Sequence, residues 1–123
     1  MPYSPKLTDI YIHSVDVGFA VIDDQGIVRI VNETLARFMD ANRNELTDAS
    51  YSVLLPKNTQ GNELMEQLVQ AGDDKLSITR VWWKSPDSFI YLKGYAQFEE
   101  IENYGKCRIL FLRDVSEEVL YRE

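Results

Sequence analysis

The sequence predicts an α+β domain: a five-stranded antiparallel sheet with short helices packed on one face, a leading helix at the N-terminus and an exit helix at the C-terminus. Three observations predict it. Two apolar runs before residue 32 are joined by a tight polar turn. Three longer runs after residue 75 follow one another with only short polar breaks. Between these groups the apolar residues repeat every three or four positions, the spacing of helices packed by one face.

Each element follows from its own residues. Leu7, Ile10, Tyr11, Ser14 and Val15 are spaced three or four apart and predict a short leading helix, broken by Asp16-Val17-Gly18. Ile12 lies off that stripe, an apolar residue more than one packing face needs. Phe19 to Ile22 reads as a strand, Asp23-Asp24-Gln25-Gly26 as a turn and Ile27 to Val31 as the returning strand. Asn32 is placed to cap a helix carrying Leu35, Phe38 and Met39, with Glu33 favourable in its first turn. Glu45-Leu46 and Ser52 to Leu55 predict single helical turns, the second stopped by Pro56. A better-defined helix spans Asn62 to Ala71, with Leu64, Met65, Leu68 and Val69 apolar and Gly72 suited to its end. The remaining strands are Leu76 to Lys84, Phe89 to Glu99 and Lys106 to Arg113. In the middle one Ile90, Leu92, Ala96 and Phe98 alternate with Tyr91, Lys93, Tyr95 and Gln97, which gives a core face and an aromatic-polar face. Ser116 is positioned to cap a final helix that begins at Glu117 and is expected to run on past the last residue.

Composition narrows the function. A chain of 123 residues, 45% hydrophobic, supports one core and one domain. The formal net charge of −7 argues against nucleic acid and anionic lipid as partners, because both require clustered cations to displace counterions. No apolar run approaches the roughly 18 residues a membrane helix needs, and Met1-Pro2-Tyr3-Ser4-Pro5 lacks the features of a signal peptide. A single cysteine, Cys107, forms no internal disulfide, as expected of a cytoplasmic domain, with a periplasmic domain without disulfides left open.

The text at both ends sharpens the reading. The segment from Gly18 through Asp23-Asp24-Gln25-Gly26 to Asn32 resembles the opening hairpin of PAS sensor domains: a glycine, an apolar strand, an Asp-x-x-Gly turn, a second strand and an asparagine. Asp114-Val115-Ser116-Glu117 is similar to that family's Asp-Ile-Thr-Glu junction, where the last strand passes into a signalling helix. The resemblance implies residues 1–17 as a dimerisation helix, 18–115 as the PAS core and 116–123 as the start of the signalling helix. It also implies a homodimer and a C-terminal effector in the same chain: a histidine kinase of a two-component system, a GGDEF-type diguanylate cyclase or a transcription regulator, in a bacterium. Asp114, Val115 and Ser116 are then the signal-transmission junction.

The candidate binding residues are fewer. Haem-binding members of the family place a histidine on the long helix, whereas the only histidine here is His13, read as a partly exposed polar residue. Flavin-binding photosensors carry an Asn-Cys-Arg-Phe-Leu-Gln stretch, whereas Cys107 lies in the last strand and reads as core. Both cofactors are argued against, and none is predicted. One histidine and one cysteine make no metal cluster, and the acidic pairs lack calcium-loop spacing. No catalytic residue is assigned, because no nucleophile or phosphate-loop motif is present. Trp82, Trp83, Tyr91, Tyr95, Phe98 and Phe111 are candidates to line a cleft between the sheet and the helix at 62–71 or, alternatively, to fill the core. Trp82 and Tyr91 of that set, together with Arg80, are the candidate ligand pocket, offering polar groups beside aromatics to a small organic ligand. Two other classes stay open: a ligand-free dimerisation module and a small α+β enzyme.

Overall fold

A computed structural model of the chain describes residues 12–55, 62–70, 75–85 and 87–121. In order, the elements are β1 (Val17–Ile22), β2 (Val28–Val31), α1 (Glu33–Phe38), α2 (Arg43–Leu46), a 3-10 turn (Tyr51–Leu54), α3 (Asn62–Gln70), β3 (Lys75–Ser85), β4 (Ser88–Ile101), β5 (Gly105–Asp114) and α4 (Ser116–Tyr121). The five strands form one antiparallel sheet in the order β2-β1-β5-β4-β3. The last strand in sequence is therefore central in space, between the first strand and β4.

The opening hairpin is organised by Asp23. Its Oδ1 accepts from the Gln25 and Ile27 N–H groups at 2.9 Å each, and its Oδ2 accepts from Arg29 Nε at 2.7 Å. Gly26 takes φ +79°, a left-handed conformation that costs glycine little, and its N–H donates to the Asp23 carbonyl. Burial raises the Asp23 carboxyl pKa, but the Ile27 N–H, Arg29 and the Gln25 N–H outweigh burial and hold it below the ordinary carboxylate value.

Asn32 caps α1 as its sequence position predicts, its Oδ1 accepting from Leu35 N–H at 2.9 Å. The same oxygen accepts from Phe19 N–H at 3.0 Å, and Nδ2 donates to the Val17 carbonyl at 2.8 Å. One fully buried side chain thus fixes the start of the helix to the first strand.

The core has two parts. On the helix-covered face, Leu35 and Ala36 of α1 and Leu64, Met65 and Leu68 of α3 pack on Ala20, Leu92, Ala96, Leu110 and Leu112 of the sheet. On the opposite face Phe19, Val21, Cys107 and Ile109 are fully buried, with Ile101 beside them. Burial pushes the Cys107 thiol up to about 11, with Asp23, Asp24 and Glu100 adding to the shift, so it is neutral at physiological pH.

One expectation changes. The stripe assigned to a leading helix falls on Leu7, Ile10 and Tyr11, outside the described residues, and on Ser14 and Val15, which lie in irregular chain and a bend rather than helix. Ser14 Oγ accepts from Asp16 and Val17 N–H at 3.3 and 3.0 Å, a local bonding pattern that competes with helix. Val15 is accordingly exposed. Among the described residues no helix is long and apolar enough to cross a membrane.

Candidate functional site

The register decides which of the predicted pocket residues can meet. Arg80 pairs with Leu92 and Trp82 with Ile90, whereas Tyr91 pairs with Val81. Side chains alternate faces along a strand, so Arg80 and Trp82 lie on the helix-covered face and Tyr91 on the other. The three residues do not form one pocket. Trp82 is buried in the core among apolar neighbours. Arg80 is exposed and donates to the Thr79 carbonyl at 2.9 Å.

The wider aromatic set divides in the same way. Phe98 joins Trp82 on the helix face, where the buried Arg108 guanidinium lies 4.4 Å from its ring centroid. Arg108 Nε also donates to the Leu68 carbonyl at 3.1 Å, near the end of α3, where a cation is favourable. Trp83, Tyr91, Tyr95 and Phe111 lie on the opposite face. There Phe89 joins Trp83 at 4.9 Å and Tyr91 edge-on at 5.5 Å between ring centroids.

The space between α3 and the sheet is packed with side chains. Leu64, Met65, Leu68, Leu92 and Leu112 are at most 1% exposed. A Cβ added to Gly94 would stand 2.5 Å from Leu68 Cδ1, closer than atoms pack, so α3 rests directly on β4 at that residue. Among the described residues no group of His, Cys, Asp and Glu side chains gathers to hold a metal ion.

The junction is the better-built site. Leu92 and Asp114 are the last paired residues of the β4–β5 ladder. Beyond them, Tyr91 holds the departing chain with both main-chain groups. Its carbonyl accepts from Val115 N–H at 2.8 Å, and its N–H donates to Ser116 Oγ at 2.8 Å. The Asp114 carboxylate accepts from Ser116 N–H at 2.9 Å, and Val119 N–H donates to the Val115 carbonyl to close the first turn of α4. Val115 is buried, and Arg113 forms an ion pair with Glu118 across the turn.

The expected cap is thus distributed differently. Ser116 is the first residue of α4 and its hydroxyl holds β4, while Asp114 supplies the acceptor for a first-turn N–H. The partner that sequence reasoning missed is the Tyr91 main chain. It carries no side-chain signature, and its distance from Ser116 along the chain leaves no periodic signal. Beside this junction an open groove of about 790 Å³ runs between α1 and α4, lined by Asp16, Thr34, Arg37, Phe38 and Arg113 among others.

The fold has solved counterparts. The chain is similar to the PAS domain of a protein from Colwellia psychrerythraea, at 11% identity over 91% of this chain and 96% of that one, with a TM-score of 0.62. It is similar to the PAS domain of nitrogen regulation protein NR(II) from Vibrio parahaemolyticus, at 15% identity over 88% and 96%, TM-score 0.56. A third is the PAS domain, in complex with ethanol, of a LuxR-family transcriptional regulator from Burkholderia thailandensis, at 16% identity over 93% and 99%, TM-score 0.57. No curated protein matches the chain. The family model of the PAS fold matches residues 10–94, from before β1 to the middle of β4. With the strand order, the Asp23 hairpin and the Asn32 cap already in place, that match identifies the chain as a member of the PAS fold family.

Proposed function

We propose that this chain is the signal-input domain of a larger bacterial signal-transduction protein, and that it regulates a C-terminal effector through the junction between β5 and α4. The observation that carries this reading is the clasp at Tyr91. The central strand leaves the sheet through Asp114, Val115 and Ser116, and two main-chain bonds from β4 set where α4 starts. A shift of β4 relative to β5 therefore reaches the exit helix directly, which supports a role for the junction in passing a change in the sheet to the effector. The effector is a histidine kinase, a diguanylate cyclase or a transcription regulator, and the domain acts in the cytoplasm as a homodimer, without catalysis of its own.

A small organic ligand in this reading acts by separating α3 from the sheet, because Leu64, Met65 and Leu68 fill the intervening space. That packing also favours a second reading, in which the domain transmits through dimerisation alone, with no ligand.

The test is made in the full-length protein with Asp114→Ala and Ser116→Ala. Each removes one bond of the junction at a cost of about 1 kcal/mol of stability. Effector output should stay measurable but lose its response to the input signal. A response of normal size in both variants, with normal folding, would remove the junction from the mechanism.

A further inference from the structure

The strand order leaves β3 at the edge of the sheet, with β4 as its hydrogen-bonded neighbour among the described residues. Its register fixes which groups face outward. Tyr91 turns its N–H and C=O toward α4, so Leu92 turns its own toward β3, where it meets Arg80. By the same alternation Leu76 and Ile78 also bond to β4, while Ser77, Thr79 and Val81 direct their main-chain groups to the open edge. The Arg80 guanidinium confirms the direction, since it folds back onto the Thr79 carbonyl. Lys75, Ser77, Thr79 and Arg80 are all exposed.

A second feature lies alongside. On the helix-covered side of this edge, an open groove of about 310 Å³ is lined by Leu76 and Ile78 of β3 and by Glu66, Gln67 and Gln70 of α3. An extended segment added to β3 would place every second side chain in this groove while its main chain paired with Ser77, Thr79 and Val81.

Charge selects the occupant. The chain carries −7 overall, yet β3 contains Lys75 and Arg80 and no carboxylate, and Lys93 stands beside Thr79 in the register. Two copies of this edge paired about Arg80 would oppose cation to cation. A carboxylate on the face away from α3 meets Lys75 there, with Lys93 behind Thr79, and the Arg80 guanidinium at the edge adds to the positive field. Glu66 disfavours a carboxylate inside the groove, so the groove takes apolar side chains.

We propose that the edge of β3 is a docking site for an acidic, extended peptide segment. The segment binds by strand addition, with apolar side chains over Leu76 and Ile78 on the helix-covered face and carboxylates on the other face, beside Lys75.

The probes are short fluorescein-labelled peptides alternating glutamate with valine or lysine with valine, titrated into this chain by fluorescence anisotropy. Amide hydrogen exchange is followed in parallel. The glutamate peptide should bind at least about tenfold more tightly than the lysine peptide, as expected of charge-selected docking. It should also slow exchange at Ser77, Thr79 and Val81. Charge reversal in Lys75→Glu with Arg80→Glu, both at exposed positions, should invert the preference. Failure of the glutamate peptide to bind, binding that leaves those three amides unprotected, or a preference unchanged by charge reversal would overturn the proposal. So would a dimer that Thr79→Pro dissociates in the absence of peptide, which would assign the edge to a second copy. The junction takes no part in these readouts, so their failure leaves the proposed function standing.

Discussion

Asp23 shows how much one side chain can hold. It is buried to 8% exposure yet remains ionised, because two N–H groups and the Arg29 guanidinium surround the carboxylate. Its pKa is depressed in the folded state, so its contribution is complete above the unfolded value of about 3.9 and disappears as pH falls through the folded value. Asp23→Asn should therefore be less stable than the parent at pH 7, by about 1 to 3 kcal/mol for the loss of charged hydrogen bonds. The difference between the two urea midpoints should narrow as pH falls below about 3.9 and close once pH has passed through the lower folded value, where the parent's carboxylate is protonated. A gap that persists unchanged into acid would mean that the hairpin depends on the shape of this side chain and not on its charge. The sequence marked this turn, and it marked Asn32 as a cap, because both jobs are local. The additional bonds from Asn32 to Phe19 and Val17 were hidden, since they depend on β1 and α1 meeting in space.

At the scale of elements, the strands and helices were legible because period two and period three-to-four patterns survive in single segments. The pairing between segments was not. Arg80, Trp82 and Tyr91 are all plausible pocket residues one strand at a time, but pairing Arg80 with Leu92 puts Tyr91 on the far face. Gly94 escaped notice for a related reason: nothing local requires glycine there, and only the approach of α3 does. Gly94→Ala places a methyl group against Leu68, Leu64 and Leu112, and overpacking of this kind costs about 1 to 3 kcal/mol. Chemical denaturation of this variant measures the cost. Leu68→Ala should be less damaging in the Gly94→Ala background than in the parent, because the added methyl group then fills part of the cavity. Strict additivity of the two substitutions would show that α3 does not press on β4 at this point.

For the whole molecule, the proposed association and the proposed signalling converge on the face of the sheet away from α3. Tyr91 contributes its ring to that face and its main chain to the clasp at α4, so a surface that packs on Tyr91 also bears on the exit helix. Phe89, at 45% exposed, and Tyr95, at 40%, leave aromatic area open beside it, the kind of patch that marks an interaction site. The proposed homodimer should use this face, and Phe89→Glu should shift native mass spectra from dimer to monomer while changing monomer stability by no more than about 0.5 kcal/mol. A dimer untouched by this substitution would place the interface elsewhere and separate association from the clasp. The same spectra, compared with denaturing ones, report any small molecule carried by the domain. Extra mass lost on denaturation would require α3 to part from the sheet in the loaded state. A dimer of bare chains that still regulates its effector would assign the input to association alone, with β4 carrying it from the aromatic face to α4.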